Sequence, residues 1–383
     1  MIKAHRINIF MVFAVIFLAM SLYFLTRVWL MVFGAILVAV LLLGLSDYLK
    51  RAPKIGKFMR KLPHALSVGL VALMLLLVVS GFLAMFGSDL VNQFEDLKNM
   101  TPKAMQSIND YLKSYPVIYD WVAQSKWMQE FIADPAEFLS QYTGDVLGVV
   151  PVMVSGLFGG IGSFLIILLV GLFLALTPDV YTKSFVTLVP KQHRDKARYL
   201  LKSSYQALRR WLVGQFAVMA FVGVATVIAL WLMGIPFALA LGVIAFVFDF
   251  VPVLGPWLSA VPILLVTLIV APDMLLWALL MIIVVQQLES YVVAPVVQQR
   301  LIDLPPVALL LSQIIMGSLT GILGVALAMP LIVGLIVWVQ ILYVKFTLKD
   351  YSIKVMGQNE EDLERDPYYT PKDDQQLSLL KDD

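Results

Sequence analysis

The sequence predicts an all-α, polytopic membrane protein. About eight membrane segments are expected, with two long broken or re-entrant helical hairpins in an inverted repeat and a small helical extracytoplasmic domain. Three observations predict it. The 383 residues are 60% hydrophobic and only 14% charged, where soluble domains carry roughly a quarter charged residues. Apolar runs of about twenty residues, enough to cross hydrocarbon as a helix, recur along the chain between basic and acidic stretches. Two of these runs, Gly234–Pro262 and Pro306–Pro330, are interrupted by proline and glycine where an ordinary span is continuous.

Composition narrows the function classes. Net charge is +2 and mean hydropathy +0.87, so nucleic acid is not an expected partner and the lipid bilayer is. Cysteine is absent, which excludes disulfides, thiol nucleophiles and cysteine-based metal sites. His5, His64 and His193 are scattered and offer no zinc spacing. No G-x-x-x-x-G-K-S/T phosphate loop is present, so ATP-driven transport within the chain is not expected. No cofactor, metal or nucleophile–base pair is expected, and an enzyme is the least favoured class.

Residues 1–87 hold three expected helices. Lys3, His5 and Arg6 precede an apolar run from Ile7 to about Thr26, longer than a signal-peptide core of ~7–15 residues and lacking a good small-x-small cleavage site. Val28–Leu45 follows after a tight turn at Arg27, and His64–Phe86 is third. The loop between them carries Lys50, Arg51, Lys54, Lys57, Arg60 and Lys61 against Asp47. Residues 88–148 change character. Acids outnumber lysines, and Leu90, Phe94 and Leu97, then Met105, Ile108 and Leu112, fall at helical spacing, with Pro102, Pro116 and Pro135 as punctuation. An amphipathic helical domain outside the bilayer is expected there, with an envelope protein as its candidate partner.

Residues 149–176 form the next expected span. Its Gly156, Gly159, Gly160 and Gly162 suit close helix packing rather than a nucleotide loop, because no β-α-β unit surrounds them. Residues 177–211 read as a basic loop, with Lys183, Lys191, Arg194, Lys196, Arg198, Lys202, Arg209 and Arg210 against Asp179 and Asp195. Residues 212–343 are the transport core: Leu212–Met233, a broken segment 236–271, Met274–Ala294 and a second broken segment 306–343. Residues 344–383 form an acidic tail, expected to be disordered in water from Ser352 onward. Lys and Arg are retained on the cytoplasmic side of short loops. That places both basic loops and both termini inside, and 88–148 outside.

The two broken segments align. Pro236-Phe-Ala-Leu-Ala-Leu matches Pro306-Val-Ala-Leu-Leu-Leu, Gly255 corresponds to Gly324, and Pro262 to Pro330. As one helix, Phe237–Val270 would extend ~50 Å against a hydrocarbon core of ~30 Å. It must tilt, kink or turn back, and Asp249 to Pro256 is where a turn would fall. Gly317, Ser318, Thr320 and Gly321 offer the same in the second copy. Two hairpins would enter from opposite faces, the inverted arrangement of secondary transporters with a substrate site between the repeats. Two complete crossings are the alternative, and charge counting does not separate them.

Asp249 and Glu289 are the acids inside otherwise apolar runs, and charge at membrane depth marks ion or substrate paths. α-Helical spacing puts Gln286, Glu289 and Ser290 on one face and turns Gln287 away. The bland readings are that Glu289 reaches the interface and that Asp249 caps broken helix near Pro252. Gln215, Ser312, Gln313 and Gln340 can bond either a ligand or neighbouring helices. Arg210 could face Glu289, although membrane anchoring is its default role.

At these residues the chain resembles the autoinducer-2 exporter family, the PerM-like permeases. The matching pieces are Gly234-Ile-Pro236-x-Ala-Leu-x-Leu-Gly242, Asp249-Phe-Val-Pro252-x-x-Gly255-Pro256 and Pro262. They continue with Gln286-Gln287-x-Glu289, Pro295, Pro306, Gly317, Gly321, Gly324 and Pro330. The resemblance implies a bacterial inner-membrane protein of about eight segments. Some members are associated with export of autoinducer-2, others with sodium/proton exchange. Relatives often carry Asn at the position of Asp249 and an aromatic at that of Val253, whereas Glu289 matches the family's Gln-x-Glu pattern.

The expectation is therefore a secondary transporter that exports a small polar organic molecule, an autoinducer-2-like signal among the candidates, driven by an ion gradient. Glu289, Gln286, Asp249, Ser290, Gln313 and Gln215 are the candidate pathway residues. Pro236, Pro252, Gly255, Pro256, Pro262, Pro306, Gly317, Gly321, Gly324 and Pro330 shape the broken backbone. A sodium or other monovalent cation/proton antiporter is the first alternative, and an envelope assembly or scaffold protein the second. Homo-oligomerisation is left open.

Overall fold

The computed structural model describes residues 20–21, 24–53, 56–113, 161–298 and 306–370. Among them the chain is helical, with no strand. Helices satisfy every interior backbone group within one segment, which the bilayer requires. Among the described residues, five helices are long and apolar enough to cross a membrane, or six if a bent pair, Phe164–Leu176 and Pro178–Leu188, is one span. The expected first helix lies almost wholly outside the described residues, as do residues 114–160, so the expected total of eight is not reached among them.

The chain divides into two compact units. The first comprises Met1–Ala72, Leu165–Val213 and Arg300–Asp383. It contains α1 (Thr26–Arg51), α2 (Gly56–Met59) and the start of α3 (His64–Lys113). It also holds most of α4 (Ile161–Leu176), all of α5 (Pro178–Leu188) and the basic half of α6 (Arg194–Leu232). α4 lies directly on α1: a methyl group on Gly171 would fall 2.7 Å from Val38 Cβ. His64 Nε2 lies 3.2 Å from the Ala175 carbonyl, and the Ser67 hydroxyl donates to the Met59 carbonyl at 3.2 Å. These contacts fix where α3 begins.

Two sequence expectations change here. α3 is one helix of 50 residues, ~75 Å long, so no break separates the membrane helix from residues 88–113, and the chain passes Pro102 without leaving the helix. Residues 177–211, expected as a loop, are mostly helix. The reason is periodic: Ala197, Leu200, Ser203, Ala207 and Trp211 recur every three or four residues and are all buried. The basic residues occupy the remainder of that helix. α5 meets the preceding helix at 84°, with Val180, Tyr181, Phe185 and Leu188 exposed, which suits a helix lying along an interface.

The C-terminal segment covers the buried stripe of α6, where disorder was expected. After α11 (Pro306–Thr320) and α12 (Ile322–Trp338) a π-helical turn, Val339–Lys345, leads outward. Gly357 then passes so close that a Cβ there would lie 2.7 Å from Ala207 Cα. Short α13 (Glu360–Glu364) opens with a capping box between Asn359 and Asp362. Two of the segment's acids, Asp362 and Asp366, are partners rather than solvated charge, while Glu361 and Glu364 are exposed. Arg210 pairs with Asp362 and donates to the Gly357 carbonyl, so it is not free to serve Glu289. Gln340 accepts from the Met356 amide at 2.8 Å, a structural role.

The second unit comprises Leu73–Phe164 and Gly214–Gln299. It contains the apolar half of α6, α7 (Ala238–Phe248), α8 (Leu254–Val270), α9 (Leu275–Leu288), a π-helical turn (Glu289–Val293) and α10 (Ala294–Gln298). Leu241, Ile244 and Phe248 of α7 pack with Ile263 and Val266 of α8 around Leu230, Ile235 and Ala278. The first broken segment is therefore a helical hairpin whose arms, ~16 and ~25 Å, fall short of the hydrocarbon thickness. Gln93 of α3 accepts from the Ala240 amide at 3.1 Å and satisfies a free donor of the α7 N-terminus. The exposed face of α3, including Leu76, Leu77, Val79 and Leu83, is the lipid-facing kind.

Candidate functional site

Three helices of the second unit bring polar groups to one level. Val218 of α6, Ala245 of α7 and Val285 of α9 share one buried apolar cluster with Val222. Gln215 lies three residues before Val218, Asp249 four after Ala245, and Glu289 four after Val285. Each polar residue is thus one turn from the same apolar floor. Gln215, 3% exposed, donates from Nε2 to the Asp249 carbonyl at 2.7 Å. Asp249 is 2% exposed, and its Oδ2 has no hydrogen-bond partner among the described residues. Glu289 Oε2 is likewise buried without a partner there, while Gln286, one turn back, bonds the same carboxyl. The Asp249 and Glu289 carboxyls are close enough to interact electrostatically.

Unpaired buried carboxylate oxygens are costly, and two carboxyls in one another's field make the cost larger when both are charged. A proton, a monovalent cation or a hydrogen-bond donor on a solute would each relieve it. No group of three or more metal-ligating side chains occurs among the described residues.

The backbone explains how Asp249 reaches this place. α7 ends at Phe248 with Asp249 as its C-cap, and the chain reverses through residues 249–253. Val253 has φ 72° and ψ −53°, and the Leu254 amide donates to the Pro252 carbonyl at 2.9 Å. That is a γ-turn of the strained positive-φ kind, centred on a β-branched residue that rarely adopts it. The sequence marks the turn through Pro252 and Pro256 but not its strain. Because Val253 is exposed, Val253→Gly is expected to relieve strain and raise stability by about 1 kcal/mol. A thermal unfolding midpoint in detergent checks this; a lowered midpoint would contradict it.

Beyond that turn, Gly255 is enclosed by backbone: a Cβ there would lie 2.1 Å from the Phe248 carbonyl oxygen. Pro256 continues the first turn of α8, Pro262 sits inside α8, and Pro236 lies in the turn before α7. In the first unit, Gly321 breaks the second segment at φ 69° between α11 and α12. A Cβ on Gly324 would meet the Met316 carbonyl at 2.1 Å, one on Gly317 would meet Val325 at 2.8 Å, and Pro330 is buried inside α12. Pro306 is the first residue of α11. The second arm, continued by its π turn to Lys345, is long enough to span, unlike either arm of the first hairpin.

The structure brings Gln215, Asp249, Gln286 and Glu289 together. Ser290 is exposed instead, because Glu289 opens a π turn and spacing from that point is no longer α-helical. Gln313 is buried, 2% exposed, within the first unit. π turns are frequent at functional sites, and this one has no residue signature that α-helical reading detects.

The chain matches the sequence profile of a family described as AI-2E family transporter over residues 12–343. Among curated proteins it is similar to the candidate transport protein YueF of Bacillus subtilis (strain 168). The two are 24% identical over 341 residues, which cover 86% of this chain and 90% of YueF. The candidate transport protein sll0060 of Synechocystis is 25% identical over 291 residues, covering 74% and 79%. YrrI of Bacillus subtilis, another candidate transport protein, is 30% identical over a shorter stretch of 152 residues, covering 40% and 43%.

Proposed function

Since the chain belongs to the AI-2E transporter family, we propose that it is a secondary transporter that exports a small polar organic molecule by drawing on an ion gradient. An autoinducer-2-like signal fits that chemical class. The proposal places the protein in a bacterial inner membrane with its basic helix ends and both termini in the cytoplasm. The observation that carries it is the Asp249–Glu289 pair: two interacting carboxyls, each with a buried oxygen lacking a partner. Binding and release of a proton or cation there would couple to movement without ATP. Gln215 holds the hairpin tip in register through the Asp249 carbonyl. The same pair favours a second reading, cation/proton exchange with no organic cargo, because carboxylates serve either ion.

Glu289→Gln is expected to lower gradient-driven flux about 10- to 100-fold, the worth of one charge-assisted interaction. Asp249→Asn should cost less, because Gln215 bonds the backbone of residue 249 and that bond survives the change. Flux is measured in proteoliposomes with an imposed proton or sodium gradient. Variants that transport with undiminished gradient dependence would remove the carboxyls from the mechanism.

A further inference from the structure

At the end of α1 the first unit carries an open cavity of about 520 Å³, lined by Asp47, Lys50, Arg51 and Arg60. It lies in the size range of small-ligand sites. Its one acid is already engaged: Asp47 Oδ2 accepts from the Tyr205 hydroxyl at 3.1 Å and from Arg209 at 3.5 Å. None of Lys50, Arg51 and Arg60 forms an ion pair among the described residues. Lys50 and Arg51 in the last turn of α1 partly answer its carbonyl end. Arg60 lies outside that helix, with Nε held by the Gly56 carbonyl at 3.2 Å and its other nitrogens left to point elsewhere. Among the described residues, three cations thus line a cavity whose one carboxylate already bonds Tyr205 and Arg209.

The surroundings say which anion. α1 reaches this point directly from an apolar span, so the cavity stands where hydrocarbon gives way to headgroups. Tyr48 and Phe58 are exposed beside it in sequence, as aromatic residues are at membrane interfaces. Ser67 bonds Met59, which brings the first turn of α3 against α2, and Leu66 and Leu70 on that part of α3 are exposed and apolar. Charged lining with an apolar flank matches an amphiphile, not a freely soluble ion.

We propose that this cavity binds the phosphodiester headgroup of an anionic phospholipid, with its acyl chains along the start of α3. Lys50 and Arg51 supply charge from α1, and Arg60 offers guanidinium hydrogen bonds to the phosphate oxygens. Basic pockets at membrane helix ends recognise anionic headgroups in this way. The site shares no residue with the Asp249–Glu289 pair and does not depend on the cargo.

The test uses the purified full chain, with lipid retention read by native mass spectrometry and the unfolding midpoint read in parallel. Phosphatidylglycerol is compared with phosphatidylcholine and with inorganic phosphate. Phosphatidylglycerol should be retained preferentially and should raise the midpoint. The triple variant Lys50→Gln/Arg51→Gln/Arg60→Gln should weaken that retention about 100-fold, and Lys50→Gln/Arg51→Gln about 30-fold. Arg198→Gln, which changes a basic residue outside the cavity, should leave it intact. Equal retention of both lipids, or selectivity that survives the double and triple variants, would overturn the site. If inorganic phosphate alone reproduces the rise in midpoint, the ligand is a free phosphate and the lipid assignment fails.

Discussion

Gly255→Ala is expected to abolish transport and to lower stability by about 3 kcal/mol or more, at or beyond the upper end of ordinary overpacking. The added methyl would sit 2.1 Å from the Phe248 carbonyl oxygen and 3.0 Å from Asp249 Cα. Neither is a side-chain end that can swing away. The first turn of α8 must therefore separate from the end of α7. That movement displaces the carbonyl of Asp249 from Gln215 and carries the carboxyl away from Glu289. Flux and thermal stability should fall together. Retained flux with an unchanged midpoint would show that the hairpin tip is not as closely packed as described. Gly324→Ala probes the second hairpin in the same way, since its methyl would also meet a carbonyl oxygen at 2.1 Å.

Lys345→Met should cost about 3–5 kcal/mol, the usual result of leaving one half of a buried ion pair without the other. The Lys345 and Asp366 side chains are 0% and 1% exposed and meet at 2.7 Å. Asp366 Oδ2 also accepts from Tyr199 at 2.6 Å and Gln358 at 3.1 Å, and Oδ1 accepts from the Tyr368 amide at 2.9 Å. Tyr199, Phe346 and Tyr368 close around the pair edge to face. Burial pushes the Asp366 carboxyl up, but the bonds from Lys345, Tyr199, the Tyr368 amide and Gln358 outweigh it and hold the group below the usual carboxylate range. The sign follows from that depression. Its stabilisation is complete above the ordinary value of about 3.9 and is lost as pH falls through the lower folded value. Limited proteolysis should cut the C-terminal segment of Lys345→Met at neutral pH and that of the wild type only in acid. Lys345→Met/Asp366→Leu should recover most of the loss, because paired apolar replacement leaves no stranded charge. A single variant as stable and protected as the wild type would contradict the clasp.

Much of the architecture was legible because proline and glycine carry local backbone information. The turn expected between Asp249 and Pro256 is present at 249–253, and the break expected around Gly317–Gly321 falls at Gly321. Other features were hidden for identifiable reasons. A π turn costs one residue of register and leaves no compositional mark, so Ser290 was assigned to a face that it does not occupy. The acid-rich end looked solvated because its partners lie far off in sequence, on a basic stretch that positive-inside counting treats as a loop. Two signals were present: the Asn359–Asp362 capping box, and uncharged residues, Ala197, Leu200, Ser203, Ala207 and Trp211, at helical spacing among the arginines of 194–211. Their meaning emerges only when Asp362 meets Arg210 and Asp366 meets Lys345. Gln215 is a candidate by its place in an apolar run, but its bond to the hairpin backbone exists only in the fold.

The central claim is that ion binding within the Asp249–Glu289 unit drives movement of a small polar solute. Substrate-resolved flux of the full chain in proteoliposomes, under separately imposed proton and sodium gradients, tests it most directly. Net efflux of a furanone-type polar solute that follows one gradient and stops when an ionophore collapses it is the predicted result. Ion exchange with no solute movement would support the cation/proton reading instead. Solute flux indifferent to both gradients would contradict the account.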